Sequence, residues 1–226
     1  MRAVYVSSDS TRTELESVDI ITIDGPGGVG KTTVARLLAE SLGSDCLDTG
    51  AMYRAIAYAV LESQLDPSDG EAVGLLASQV DLKVDDRVIL NGHEITEHIR
   101  TNRVTSVVPA VALHAPVRAV LRKAQREWGE RHKWGVVEGR DMGSRVFPDA
   151  RLKIFLTATL HRRAERRHAE YPDAPLDEVM KLLAERDMHD TLGGHFALPD
   201  NGIVVDTTDK SKEDVVDSIL RHHGDL

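Results

Sequence analysis

The chain is poor in cysteine, in aromatic residues and in positive charge. Of its 226 residues one is cysteine, Cys46, so it forms no intramolecular disulfide and completes no structural zinc site, and a reducing compartment is implied. Phe, Trp and Tyr make up 4% of the residues, too few for a platform that stacks nucleic-acid bases, and Trp128 and Trp134 read as packing residues. Lys plus Arg number 28 against 37 Asp plus Glu, a formal charge of -9 that repels nucleic acid and anionic membrane at long range. Any anionic ligand must then be met by a local cluster of cations. No apolar run of about 18 residues occurs, and Met1 to Asp19 lacks the apolar stretch of a signal peptide. A cytoplasmic monomer that acts on small molecules, with no nucleic-acid or membrane partner, is the expectation. The ten histidines show neither H-E-x-x-H nor Cys/His ligand spacing, so metal-centred hydrolysis has no support. The remainder, 41% hydrophobic and 29% charged, is ordinary globular composition, long enough for a full core.

Residues Met1 to Ser17 are polar and without sustained periodicity, and read as a flexible leader. From Val18 the pattern changes. Val18, Ile20, Ile21 and Ile23 form a β-branched run that enters a glycine loop, and Lys31 to Ser41 then places Val34, Leu37 and Leu38 at helical spacing before Gly43. Val136 to Glu138, Leu152 to Leu156 and Ile203 to Val205 are further short apolar runs between helical segments. Strands alternating with helices predict an α/β fold with a parallel sheet covered on both faces. Val80 to Thr96 breaks the alternation: two strand-like pieces with Asp85-Asp86 and Asn91-Gly92 as turn signals predict a small antiparallel insert. Helical text runs from Val104 to Trp128.

Gly25-Pro26-Gly27-Gly28-Val29-Gly30-Lys31-Thr32 matches the G-x-x-x-x-G-K-[ST] phosphate loop, between a strand and a helix as that motif requires. Glycines let several N–H groups point inward, and the helix N-terminus adds positive potential at the same spot. Lys31 would reach the terminal phosphates of a nucleoside triphosphate, and the Thr32 hydroxyl would take one place on an octahedral Mg²⁺. The loop alone does not separate a switch GTPase, an ATPase and a small-molecule kinase. No N-K-x-D guanine-reading tetrad is present, which disfavours the first. Arg162, Arg163, Arg166 and Arg167 (HRRAERRH) form two i, i+4 pairs with Glu165 as their only acid, and like charges at that spacing call for an anion. Arg140-Asp141 follows a strand and so falls at the carboxyl edge of the sheet, where ligands of open α/β folds collect. Arg54, Arg118 and the pair Arg186 and Asp190, one helical turn apart, complete a second site for a small phosphorylated molecule.

These residues resemble those of bacterial cytidylate kinases. The likeness runs from about Val18 to the C-terminus and is carried by ITIDGPGGVGKTT, LDTGAMYRA, the insert ending EITEHIRT, VVEGRDMGSRVFPDARLKIFLTA and VVDTTD. The resemblance implies a nucleoside-monophosphate-kinase fold: a five-stranded parallel sheet with flanking helices, an antiparallel acceptor-binding insert and a helical lid. It divides the chain into a core of residues 18–62 and 131–226, with the lid at about 160–195, and an insert of 63–130. It implies ATP and Mg²⁺ on Gly25, Pro26, Gly27, Gly28, Val29, Gly30, Lys31, Thr32 and Thr33, and CMP or dCMP opposite. Thr49, Tyr53 and Arg54 border the monophosphate, Arg118 and Asp141 read cytosine, Arg140 holds a phosphate, and Arg186 and Asp190 clamp ribose and phosphate. Lys31, Arg140, Arg186 and the lid residue Arg166 carry catalysis in this reading, and the pathway implied is pyrimidine nucleotide metabolism. Two positions depart from the family pattern: Gly193 stands where an arginine is usual, and Pro109 where a serine helps to read the base. The first leaves room for a nucleotide-binding module of weak activity; a kinase of another small phosphoryl acceptor on the same fold is a second alternative.

Overall fold

In a computed structural model of the chain the described residues are 19–170, 172, 174–192 and 197–224. The expected leader, 1–17, and Gly193 lie outside them. The order is β1 (Asp19–Asp24), α1 (Lys31–Leu42), β2 (Asp45–Asp48), α2 (Thr49–Glu62) and α3 (Gly70–Gln79). Three short strands follow, β3 (Leu82–Val84), β4 (Val88–Leu90) and β5 (His93–Glu94), then α4 (Asn102–Leu113) and α5 (Ala115–His132). The chain continues with β6 (Trp134–Gly139), β7 (Leu152–Thr157), α6 (Leu160–Glu170), α7 (Leu176–Leu192), β8 (Ile203–Asp206) and α8 (Lys212–Gly224).

β1 holds the centre of a parallel sheet of order β2-β6-β1-β7-β8. Its side chains alternate between two cores. Ile20 packs with α2, α4 and α5, whereas Ile21 and Ile23 pack with α1 and α8, and all three are fully buried. A strand apolar on both faces is what a sheet covered by helices demands, and each such isoleucine contributes about 1.5–3 kcal/mol relative to an exposed one. Because every strand is parallel, their carboxyl ends, Asp24, Asp48 and Gly139 among them, share one edge. α1 stops at Gly43 in the left-handed region (φ 62°), where Ser44 N–H reaches Ala39 O at 2.9 Å and satisfies a terminal carbonyl.

The antiparallel insert has three strands, β3-β4-β5, where the sequence pattern predicts two. Asn91 (φ 51°) and Gly92 (φ 80°) make the tight turn from β4, and two residues suffice for β5 to pair back through Ile89 and Leu90. The helix expected from Val104 to Trp128 is two helices, bent by 98° between α4 and α5. Pro116 has no N–H to continue the ladder and sits in the first turn of α5, so the chain must restart. Arg118 then fills the gap, donating from Nη1 to Ala112 O at 2.9 Å and Leu113 O at 3.0 Å. No single helix among the described residues is long and apolar enough to cross a membrane.

The insert is not a separate hydrophobic body: Val84, Val88, Ile99, Val111 and Val117 share one buried cluster with Ile20, Leu47 and the α2 residues. α6 and α7 instead pack on each other around their own small cluster, Ala164, Val179 and Leu183.

Candidate active site

The loop from β1 to α1 needs glycine at two points. A side chain at Gly25 would run into the Leu156 carbonyl of β7, and one at Gly28 (φ 75°) would meet the Arg163 carbonyl of α6 at 2.8 Å. Gly25, Pro26 and Val29 are buried, Val29 in the core. Gly27, Gly28, Gly30, Lys31, Thr32 and Thr33 line a cleft of about 770 Å³. Lys31 Nζ donates to Pro26 O at 2.9 Å, and Thr32 Oγ1 donates to Glu138 Oε1 at 2.6 Å. Burial and then the Arg140 charge hold the Lys31 ammonium well below the usual lysine range, against the pull of Glu138. Glu138 is raised by burial and by Asp48, against the pull of Lys31. Bringing a polyphosphate to this corner therefore restores to Lys31 a counter-charge that burial denies it. Asp24, raised to about 6 by burial, accepts Met142 N–H and Gly143 N–H, both at 2.8 Å. That clasp fixes the start of a π-helical turn, Met142–Val146, and with it the Arg140-Asp141 step.

The same cleft continues to the acceptor side, where Thr49, Tyr53, Arg54, Arg118, Arg140, Asp141, Arg186 and Asp190 all line it. Asp48 caps α2 through Ala51 N–H at 2.8 Å and pairs with Arg54 Nη2 at 2.9 Å. Thr49 Oγ1 donates to Glu138 O at 2.7 Å, locking the first turn of α2 onto β6. Tyr53 is raised by burial and by Asp141, while Arg118 and Arg122 oppose the rise, so these four groups share one end of the cleft. Arg122 Nη2 lies 3.8 Å from Asp141 Oδ2. Arg140 Nη1 pairs with Asp190 Oδ2 at 2.8 Å, and Arg186 is lowered to about 10 by burial and then by Arg140, still charged at neutral pH.

The four arginines of α6 divide. Arg162 pairs with Glu165 at the surface, and Arg163, nearly buried, donates to Gly27 O and pairs with Asp187 at 2.7 Å. Arg166 does not line the cleft: its guanidinium donates to Val29 O, Thr207 Oγ1 and Thr207 O, behind the phosphate loop. Arg167 lines the cleft instead, paired with Glu170 at 2.8 Å. Residues the sequence reasoning did not single out also face the cavity: Glu138, Arg36 and Arg100. Arg100 carries a signal, since it lies in the EITEHIRT segment.

The cytidylate kinase family profile matches residues 21–224, nearly all of the described chain. The chain belongs to the cytidylate kinase family. The cytidylate kinase of Shouchella clausii is 42% identical over 211 residues, 88% of this chain and 93% of that protein. A bifunctional pantoate ligase/cytidylate kinase of a Nostoc species is 46% identical over 185 residues, 76% of this chain, and the chain spans 34% of that longer protein. The fold recurs in a crystal structure of an uncharacterized protein from Eubacterium ventriosum, with a TM-score of 0.52 and 14% identity over 92% of this chain and 98% of that one.

Against the cytidylate kinase pattern, Pro109 is exposed and outside the cleft lining, whereas Thr105, Val108 and Ala112 of the same helix line it. Thr105 therefore presents the hydroxyl of that wall. Restoring serine by Pro109→Ser should leave the KM for CMP within about twofold, the size of an exposed-surface change; steady-state assays of the variant check this.

Proposed function

We propose that the chain transfers the γ-phosphoryl group of MgATP to CMP or dCMP, giving ADP and CDP or dCDP. The observation that carries this is a single cleft lined by the phosphate loop, by Arg140 next to Lys31, and by Arg54, Arg118 and Asp141. Residues 63–130 act as the acceptor-binding insert and α6 with α7 as a lid in this reading. A cytoplasmic location goes with it, supported by the single cysteine.

The residues present fit Mg²⁺. The ion takes oxygen ligands and keeps several waters, and the cleft floor offers the Thr32 hydroxyl beside the Glu138 carboxylate. No group of three or more His, Cys, Asp or Glu among the described residues forms a metal cage of its own. Thr32 would hold the ion together with the triphosphate, and the ion supplies neutralisation of the β- and γ-phosphate charge when bound.

Phosphoryl transfer asks for alignment, exclusion of water and positive charge. The acceptor's phosphate oxygen is ionised at neutral pH, so it attacks the γ-phosphorus in line without a general base, forming the new P–O bond as the bond to the ADP oxygen breaks. Lys31, Arg140 and Arg186 stabilise the charge in flight, and Arg54 orients the acceptor phosphate. Asp141 accepts the exocyclic amine of cytosine; uracil offers a carbonyl there, and two facing acceptors repel. A coupled ADP-release assay with CMP, dCMP, UMP and AMP tests the proposal: CMP and dCMP should be the best acceptors, and inert CMP with rapid turnover of another acceptor would overturn it.

A further inference from the structure

α7 carries Arg186 into a cleft already crowded with cations, since Lys31, Arg54, Arg140 and Arg167 line it too. Burial and then the Arg140 charge weigh against the Arg186 guanidinium; Asp190 favours it, and Arg54 and Arg167 add to the repulsion. The apolar seam under α7 is small, Ala164, Val179 and Leu183. Two carboxylates of α7 oppose the repulsion. Asp190 Oδ2 pairs with Arg140 Nη1 at 2.8 Å inside the cleft, and Asp187 Oδ2 pairs with Arg163 Nη2 at 2.7 Å, both of these residues outside its lining. The phosphates of a nucleotide compete for Arg140, and so for the first pair, but do not reach the second.

Arg163 is a junction of three elements. Its side chain is 7% exposed; Nη1 donates to Gly27 O of the phosphate loop at 3.2 Å, and Nε donates to Ala158 O, just before α6, at 3.3 Å. Of these contacts the one with Asp187 joins opposite charges and is the strongest. Asp187 Oδ1 is buried with no hydrogen-bond partner among the described residues, so the carboxylate is committed to Arg163 through its other oxygen. Leu183 of the same helix comes within 3.2 Å of where a side chain at Gly27 would begin, so α7 lies directly over the loop.

We propose that Asp187 is a positioning residue for phosphoryl transfer: its pair with Arg163 ties α7 to the phosphate loop and so holds the adjacent Arg186 at the phosphoryl group in flight, with no contact of its own to either nucleotide. This rests on the reading that Arg186 stabilises that charge.

The test uses the full chain with Asp187→Ala, Asp187→Asn, Arg186→Ala and the double variant Arg186→Ala/Asp187→Ala. Asp187→Ala should lower kcat for CMP with MgATP by about 10- to 100-fold, the effect of shifting a catalytic group by about an ångström. The KM for CMP should stay within about twofold, because the base and insert side of the cleft is remote from the pair. Asp187→Asn, which keeps a neutral acceptor for Arg163, should lose less. In the Arg186→Ala background the same change should cost less than about twofold, since a residue that acts only through Arg186 has nothing left to position. Tryptic cleavage after Lys181, which reports opening of α7, should be about tenfold faster in Asp187→Ala than in wild type. Turnover of Asp187→Ala within about twofold of wild type overturns the proposal, and so does a full multiplicative loss in the double variant, which marks a merely structural carboxylate. Unchanged cleavage overturns it whatever the acceptor. If Asp187→Ala does not fold, Asp187→Asn runs the same cycle with the same deciding outcomes. If the wild-type protein phosphorylates another acceptor and not CMP, the cytidylate reading fails by itself, and the cycle is run on that acceptor.

Discussion

Lys31→Ala should lower turnover of CMP with MgATP by about 100- to 1,000-fold, the loss that follows removal of one preorganised donor from a site of developing charge. Lys31 Nζ has one neutral partner in the ligand-free cleft, the Pro26 carbonyl at 2.9 Å, and lies near Arg140 and Arg186, whose charges oppose its own. Glu138 and Asp24 offset the cost of keeping its ammonium only in part, and a polyanion adds the rest. Because Arg140 and Arg186 repel it while Glu138 and Asp24 attract it, deleting this cation should change the unfolding midpoint little. A variant that folds and keeps more than a tenth of wild-type turnover would remove Lys31 from the chemistry and the phosphate loop from the mechanism.

Asp141→Ala should collapse the preference for CMP over UMP by about 5- to 150-fold in kcat/KM, equivalent to the roughly 1–3 kcal/mol of an unpaired buried polar group. Asp141 is placed for this by backbone rather than by side-chain packing. Asp24 clasps the two amides that follow it, and the π-helical turn closes with Phe147 N–H on Met142 O at 2.7 Å. Asp141→Asn should go further and favour UMP, because an amide offers the uracil carbonyl a donor. An unchanged CMP/UMP ratio in both variants would reassign base reading to Arg118, Tyr53 or Thr105.

The parts of the fold legible from the chain are those where local chemistry admits one answer. Gly25 and Gly28 sit where a side chain would strike Leu156 or Arg163, and the isoleucines of β1 serve two cores at once, so loop and strand follow from composition at those positions. Arg118 lines the cleft from the second of two helices, where the sequence pattern predicts one. Apolar spacing runs unbroken through His114, and only Pro116 marks the restart that lets Arg118 cap α4. Arg166 and Arg167 are adjacent in a run of four arginines, and nothing local tells which faces the nucleotide. The answer comes from the Val29 and Thr207 carbonyls, 137 and 41 residues away in sequence. Arg100 and Asp48 belong to the same class: their meeting is a product of how the insert docks on α2.

The two walls of the cleft are anchored very differently. The insert shares the main hydrophobic cluster with α2 and β1, whereas α7 is held to α6 around three buried side chains, and α6 is tied to the phosphate loop through Arg163 and Arg166. Thin seams open at a fraction of the free energy that unfolds the main body. The α6–α7 side is therefore expected to part before the insert side does, and hydrogen exchange should be faster at the amides of α7 than at those of α2.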